Sequence, residues 1–257
     1  MREIVDLHCH LLPGLDDGPP GPELTLEMLK KFAAEGVVQI NASPHLDPTF
    51  HTSPQAVFEK VNLVNQMCAD NQLPIEVLPS QEVHIFGELI EAYQAGYLLT
   101  VANRTNYLLL EFDSNDVPLY AENLIYEMRI EGLTPIIVHP ERNLDIMRNP
   151  EKLIGFVNQG ALTQVTASCV TGSFGSKFKE NADTLFKMNL VHTIASDAHN
   201  VTSRASKMGR AFDVIAEKYG DDLAWQLNQN AVAIVNNQSV EVWEPRELRR
   251  RKLFGLF

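Results

Sequence analysis

Two histidines with metal-ligand spacing lie near the start of the chain, directly after a short apolar segment. Residues 4–7 predict a buried strand, and His8 and His10 follow it two positions apart. Side chains two apart on a strand point to the same face, so both imidazoles would face the same way. The turn at Asp16-Asp17-Gly18 would bring carboxylates near them. Imidazole and carboxylate together bind zinc, manganese or iron, although this short motif alone fits two ordinary strand-end histidines equally well.

The same arrangement recurs along the chain, because histidines or acidic residues end six of the seven strands that the sequence predicts. The strands lie near residues 4, 38, 76, 108, 136, 163 and 193. Predicted helices separate them, and two helices, over about 202–218 and 221–229, close the domain. Alternating strands and helices predict a parallel sheet covered by helices, and 257 residues suit a single α/β barrel.

In α/β barrels the chemistry lies at the carboxyl ends of the strands, so we expect the strand-end side chains to converge there. Nine of them are of metal-ligand type, and five histidines with four carboxylates would suit two or three divalent ions. The expected ligands are His8, His10, Asp17, His45, Glu82, Glu111, His139, Asp197 and His199.

Composition excludes several other classes of protein. The formal net charge of -12 argues against nucleic-acid binding through a basic surface. Three cysteines without paired spacing favour a reducing compartment, and no run of 18 apolar residues predicts a membrane span, so we expect a cytoplasmic protein. No cysteine is followed by an arginine six positions later, which excludes a cysteine-nucleophile phosphatase, and the Gly172–Gly175 stretch is not a P-loop.

Three further residues are candidates for catalysis. Arg142 follows His139 by three positions in a proline-containing loop, where a planar guanidinium could clamp a phosphate through two N–H donors. Arg204 also follows a ligand motif closely, but an ordinary surface arginine explains it as well. Asp16 is a candidate acid for the leaving group.

The assembled residues resemble the PHP superfamily of metal-dependent phosphoesterases, and more closely its CpsB/YwqE-type bacterial protein-tyrosine phosphatases. The matching stretches follow one another in the family's order over residues 1 to about 235. They are Asp6–His10, Leu15–Gly18, Ser43–His45, Gln81-Glu82, Leu110-Glu111, His139–Asn143, Gln164–Ala167, Gly172–Gly175 and Ile194–Asn200.

The resemblance implies a distorted TIM-like barrel of about seven strands (the PHP fold) with three divalent ions, first manganese, with iron or zinc as alternatives. It maps metal binding onto the nine residues above and substrate contact onto Arg142 and Arg204. Its members dephosphorylate tyrosine autokinases that control export of capsule or exopolysaccharide. Two alternatives stay open: a small-molecule phosphatase of the histidinol phosphate type, and a non-catalytic metal-binding regulator.

The C-terminal end departs from the family pattern. We expect a phosphatase domain over residues 1–239 and a basic, aromatic tail over residues 240–257. The tail contains Trp243, five basic residues within 246–252, and Phe254 and Phe257. Such a segment could dock on another subunit or on an anionic membrane surface, or could simply be a solvated chain end.

Overall fold

The computed structural model describes residues 3–247 of the chain, which form a mixed α/β fold. Every pair of neighbouring strands within that range is parallel. One sheet has the order β1-β2-β4 and the other the order β3-β5-β6-β7-β8-β9. The strands are β1 (Ile4–Cys9), β2 (Val37–Ala42), β3 (His45–Leu46), β4 (Glu76–Pro79), β5 (Glu82–His84), β6 (Tyr107–Glu111), β7 (Thr134–Val138), β8 (Leu162–Thr166) and β9 (Thr193–Ala195).

Nine short strands replace the seven predicted ones, because two of the predicted strands are interrupted. Strand β3 resumes after β2 beyond Ser43-Pro44, and β5 resumes after β4 beyond Ser80-Gln81. A hydrogen bond from the Glu82 amide to the Pro44 carbonyl (3.1 Å) continues the pairing across the breaks. Proline lacks an amide hydrogen, which interrupts a strand at that position. The seven predicted segments therefore keep their order around the fold.

The outer edges of the two sheets are joined by hydrogen bonds between β1 and the residues after β9. The Asp197 amide donates to the His8 carbonyl (2.9 Å), and the His10 amide donates to the Ala198 carbonyl (3.0 Å). The buried carboxylate of Asp6 accepts from the Ser196 amide (2.9 Å). These bonds place the first and last strands side by side, as a TIM-like arrangement requires.

Ten α-helices cover the strands within the described range. Two of them, α5 and α7, are one-turn helices that the sequence does not predict; α5 follows the loop that carries His139 and Arg142, and α7 follows β8 directly. The helices are α1 (Pro22–Ala34), α2 (Pro54–Asp70), α3 (Leu89–Gln94), α4 (Ala121–Ile130), α5 (Leu144–Arg148), α6 (Glu151–Asn158), α7 (Ala167–Thr171), α8 (Ser176–Lys187), α9 (Met208–Tyr219) and α10 (Asp221–Val235).

The last two helices differ from their predicted bounds. The predicted start near residue 202 was wrong, because residues 200–207 form a loop and α9 begins at Met208. That loop is tied by the Asn200 side chain, which accepts hydrogen bonds from the Thr202 and Arg204 amides. Helix α10 continues six residues past its predicted end because Ala231, Ile234 and Val235 are buried in the interior.

Side chains alternate along each strand between the inside of the fold and the surrounding helices. The inward-facing residues are apolar along most of the strand and polar at its carboxyl end. On β6, Tyr107 and Leu109 belong to the inner apolar cluster that α10 covers, and Glu111 continues the same face at the carboxyl end. The outward-facing residues Leu108 and Leu110 pack with the helices in a second, larger cluster. The site residues therefore stand on a packed base, which fixes their backbone positions.

The first part of the predicted tail lies against the body of the protein. Trp243 packs against the larger apolar cluster, and the Arg246 amide donates to the Met188 carbonyl (2.8 Å). Residues 248–257, with most of the basic cluster, lie outside the described residues, so the domain boundary at 239/240 stays a prediction. Within residues 3–247, no helix combines the length and the apolar character needed to cross a membrane.

Candidate metal centre

The buried carboxylate of Glu82 lies at the centre of a cluster of imidazoles. Its Oε2 is 3.2 Å from His8 Nε2, 3.1 Å from His10 Nε2 and 2.9 Å from His45 Nδ1. Its Oε1 is 2.7 Å from His139 Nε2. Burial raises the pKa of Glu82, but the surrounding histidines outweigh it and hold that pKa well below the usual range. Glu82 is therefore an anion enclosed by imidazole nitrogens.

His8 on β1 and His10 just after it face each other through nitrogens that both carry lone pairs when the rings are neutral. His8 Nδ1 lies 2.9 Å from the Gln164 side-chain carbonyl, and His10 Nδ1 lies 2.6 Å from Asp16 Oδ2. Both partners are acceptors, so each Nδ1 carries the proton and each Nε2 is free of it. The two Nε2 atoms are only 3.0 Å apart. A positive charge between them, either a proton or a metal ion, is needed to hold this geometry.

The raised pKa of His10 also indicates that positive charge is stabilised at this position. Burial lowers this pKa, but the charges of Asp16 and Glu82 outweigh burial and raise it well above its usual range. Carboxylates that draw a proton onto a buried imidazole also draw a divalent cation to the same nitrogen.

A second group of side chains surrounds the outer face of His10. His199 stacks on the His10 ring, with centroids 3.8 Å apart, and its Nδ1 contacts the Asp197 carbonyl at 3.0 Å. Its Nε2 is thereby left facing Asp17 Oδ1 at 3.1 Å, and His45 Nε2 lies 3.5 Å from the same oxygen. His10, Asp17, His45 and His199 thus present ligand atoms to one small volume.

A third group lies on the other side of Glu82. His45, Glu82 and Glu111 present ligand atoms within one small volume, as His8, His10 and Glu82 do next to it. Burial and the charge of Glu82 raise the pKa of Glu111 to about 8. His139 borders this group, with Nε2 3.7 Å from Glu111 Oε1. Burial and the adjacent Arg142 lower the pKa of His139 to about 4, so its ring is neutral.

Both candidate arginines contact Asp197. Arg142 Nη1 donates to Asp197 Oδ2, and Arg204 Nη2 lies 3.2 Å from Oδ1. Oδ1 is also 3.6 Å from His10 Nε2, so one carboxylate joins the histidines to the guanidinium groups. Burial raises the pKa of Asp197, but Arg142, His8 and Arg204 outweigh it and lower that pKa far below its usual range. Arg204 further contacts Asp17 Oδ2 at 3.2 Å.

The donor set fits divalent cations. Several ligand-type atoms are fully buried without a hydrogen-bond partner among the described residues, including Glu82 Oε2, His45 Nδ1 and His199 Nε2. Buried polar atoms are normally paired, so unpaired ones that converge point to a bound ion. The centre holds five carboxyl groups against two guanidinium groups, and even with Glu111 protonated the remaining carboxylates outnumber the guanidinium groups, which favours bound cations.

Two neighbours of the expected ligands were not assigned a positioning role from the sequence. Asp16 accepts from His10 Nδ1 through Oδ2, from the His45 amide (3.1 Å), and from the Gly18 amide (3.0 Å). These contacts favour a role in orienting His10 over the acid role expected above. Gln164 holds His8 in the same way. The only sequence signal for either residue is its place beside a ligand or at a strand end.

Backbone geometry at the ends of two strands turns the ligands inward. His139 and Asp197 adopt left-handed conformations, with φ of 37° and 50°. This conformation is unfavourable for residues with a side chain and occurs where the surroundings enforce it, commonly at functional sites. Gly18 is required for another reason, since a Cβ there would lie 2.3 Å from the His10 carbonyl oxygen. That close approach keeps the acidic turn against β1.

Comparisons with known proteins agree with this fold and site. A tyrosine-protein phosphatase of Bacillus subtilis, YwqE, is 37% identical over 99% of this chain and 100% of its own length. The tyrosine-protein phosphatase CpsB of Streptococcus agalactiae is 25% identical over 92% of this chain and 100% of its own. A crystal structure from work on YwqE and Streptococcus pneumoniae CpsB, described as unique metal-dependent tyrosine phosphatases, superposes with a TM-score of 0.93 at 36% identity, covering 96% of this chain and 100% of that one.

A more distant structure agrees in fold alone. Histidinol phosphate phosphatase from Lactococcus lactis, solved with zinc, L-histidinol and phosphate, gives a TM-score of 0.53 at 12% identity over 86% of this chain and 94% of that one. Fold and site together therefore define a TIM-like α/β protein of the PHP type. The capsular polysaccharide synthesis family CpsB/CapC matches residues 4–236, and the chain belongs to that family.

Replacing Asp16 separates its two suggested roles. In Asp16→Asn, the His10 ring loses its carboxylate partner, so we expect metal affinity to fall about 10- to 100-fold, as is usual for loss of such a partner. Isothermal titration calorimetry of the metal-free protein with manganese measures the affinity. Asp47→Asn is the matched control, because Asp47 caps the amides of a neighbouring loop and lies outside the cluster. Unchanged affinity with lost turnover would favour the acid role instead.

Proposed function

We propose that this chain is a metal-dependent protein-tyrosine phosphatase that hydrolyses phosphotyrosine on a bacterial tyrosine autokinase controlling capsule or exopolysaccharide synthesis and export. The observation that carries the proposal is the buried Glu82 carboxylate, enclosed by four imidazoles at the carboxyl ends of the strands. The metal dependence and tyrosine-phosphatase activity stated for YwqE and CpsB support the reaction. The free, buried cysteines accord with a cytoplasmic protein.

The nine ligand-type residues would hold three divalent ions, with manganese, iron or zinc as candidates. The candidate ligand groups are His10, Asp17, His45 and His199; His8, His10 and Glu82; and His45, Glu82 and Glu111. The first two groups overlap at His10, whose Nδ1 faces Asp16, so its Nε2 would serve only one of their two ions. His139 and Asp197 complete the set of nine residues. Ions bound there would neutralise phosphoryl oxygens and lower the pKa of the attacking water.

The chain's own residues orient the phosphoryl group. Arg142 and Arg204 approach Asp197 from different loops, so their guanidinium groups stand together at the mouth of the centre. Paired N–H donors stabilise the charge on a transferring phosphoryl group. Glu141 positions Arg142, because its buried carboxylate accepts from the Thr166 amide (2.8 Å) and fixes the loop to β8.

The leaving group needs little assistance from an acid. A phenol has a pKa near ~10, so a phenolate leaves far more readily than an aliphatic alkoxide. This chemistry suits phosphotyrosine and agrees with an Asp16 that is fully occupied as an acceptor. We do not adopt the histidinol phosphate alternative, because the structure from that enzyme shares only the fold. The complete ligand set argues against a non-catalytic regulator.

Metal removal and substrate choice test the proposal together. Chelation should abolish hydrolysis of a phosphotyrosine peptide, and added manganese should restore it, because the water nucleophile depends on the ions. Metal content is measured on the same samples, with histidinol phosphate as the comparison substrate. Full activity on metal-free protein would disprove the metal-dependent mechanism, and preference for histidinol phosphate would restore the alternative.

Removing Arg142 tests the assignment of the phosphate clamp. We expect Arg142→Ala to keep its metal and to lose about two to three orders of magnitude in kcat, the size typical for one donor to developing charge. Arg148→Ala is the matched control, because Arg148 is an exposed arginine on the adjoining α5. Loss of metal in Arg142→Ala would show that this arginine stabilises the centre through Asp197.

The basic end of the chain is proposed to dock the enzyme on an anionic membrane surface. Four basic residues follow Glu247, and each contributes about 1 kcal/mol near such a surface. Truncation after Glu247 keeps the contacts of Trp243 and Arg246 with the body. The truncated protein should hydrolyse a small aryl phosphate at the full rate and bind anionic vesicles more weakly. Weaker self-association in sedimentation, with vesicle binding unchanged, would identify another subunit as the target.

A further inference from the structure

A groove of about 670 Å³ lies beside β3 and β5, the strands that carry His45 and Glu82, and we call it the rim groove. One wall is the end of β3 and the loop after it, including Leu46 and Pro48, and the other is the segment after β5, including Ile85 and Phe86. Tyr97 also lines the groove and is 67% exposed. Ligand sites in proteins commonly have volumes of about 300–1,000 Å³, so the groove is large enough for more than one side chain.

The walls of the rim groove begin next to ligands of the metal centre on two neighbouring strands. Leu46 directly follows His45 on β3, and His84 follows Glu82 by two residues on β5. The register pairs His45 with Glu82, so both walls begin at the same level. A strand rises about 3.3 Å per residue, which places the start of the groove within about 7 Å of the ligands along the chain.

The wall formed by the β3 loop is held in place by hydrogen bonds. Thr52 Oγ1 donates to the His45 carbonyl (2.8 Å), and Gln81 Nε2 donates to the Thr52 carbonyl (2.6 Å). The side-chain Oε1 of Gln81 accepts from the Leu99 amide (2.8 Å), so the segment that contains Leu99 is held by the same side chain. The groove is therefore preformed, and binding there needs little ordering of the protein.

The chemistry of the rim groove selects apolar groups. Its described lining contains no lysine or arginine, and the Asp47 carboxylate is occupied by the Thr49 and Phe50 amides. A phosphate therefore has no permanently charged partner in the described lining, whereas aliphatic and aromatic side chains would cover Leu46, Phe86 and Tyr97. The cationic side of the centre, with Arg142 and Arg204, belongs to other loops.

We propose that the rim groove binds apolar side chains adjacent to the phosphotyrosine of a peptide substrate, which makes Tyr97 a specificity-determining residue. This inference rests on the proposed phosphatase function. A phosphotyrosyl group seated on the metal centre must leave its flanking residues at the rim, and the groove is the apolar surface that begins there. A small phosphate ester has no group that could reach it.

Two phosphotyrosine peptides test the inference, one with leucine and phenylalanine beside the phosphotyrosine and one with serine at those positions. The holoenzyme should show a KM about tenfold lower for the apolar peptide. Tyr97→Ala and the groove-filling Ala92→Trp should remove most of that difference and leave hydrolysis of p-nitrophenyl phosphate unchanged. Tyr126→Ala is the matched control, because Tyr126 is a similarly exposed tyrosine on α4, at 60%. Thermal unfolding confirms that each variant is folded.

Other outcomes overturn the inference in distinguishable ways. Equal KM values for the two peptides in the wild-type enzyme would show that the groove does not read the flanking residues. Hydrolysis of p-nitrophenyl phosphate without hydrolysis of either peptide would overturn the proposed function, and the inference with it. If truncation after Glu247 lowers the KM for both peptides equally, the groove holds the apolar C-terminal segment of another copy instead.

Discussion

The rest of the structure depends on the burial of one carboxylate, that of Glu82, in a position where it must be balanced by cations or donors. Removing an ion from water costs several kcal/mol unless it is paired closely. Four imidazole nitrogens lie within 3.2 Å of its oxygens, and no solvent reaches it. An anion in this setting holds its geometry only while positive charge is present, so the site is built to take up metal.

The breaks in two strands create this environment. Because β3 and β5 are displaced continuations of β2 and β4, they pair with each other in a register that sets His45 opposite Glu82. The next pairing sets His84 opposite Glu111. If β2 and β4 continued without a break, their side chains would follow regular alternation, and His45 and Glu82 would not lie opposite each other. The interruptions are therefore part of how the centre is assembled.

The sequence predicts the scaffold well because its signals are local. Apolar runs mark the strand positions, and glycines such as Gly36 and Gly132 mark helix ends. The strand-end rule gathers the candidate ligands, and the structure brings them to one end of the fold. Short elements were missed because one-turn helices such as α5 have too few residues for periodicity. The start of α9 was wrong because the Asn200 side chain, a tertiary feature, holds residues 200–207 as a loop.

Roles within the site could be predicted less well than positions, because a role depends on the partner of each atom. Asp16 and Asp17 are adjacent and chemically identical, yet Asp16 supports His10 Nδ1 while Asp17 faces His199 Nε2. Residue type alone does not distinguish them, and the contact that makes Asp16 a support for His10 is visible only in the structure.

The mouth of the centre has two unlike sides, and their separation follows from chain order. The arginine side comes from loops after β7 and β9, and the apolar side comes from the segments after β3 and β5. In a parallel sheet these strands lie apart, with β6 between β5 and β7. A phosphoryl group binds best to a charged surface, and an apolar side chain binds best to an apolar surface that excludes water. If the proposed roles hold, placing them on separate loops would let substrate preference change at the groove without disturbing the residues that would hold the phosphoryl group.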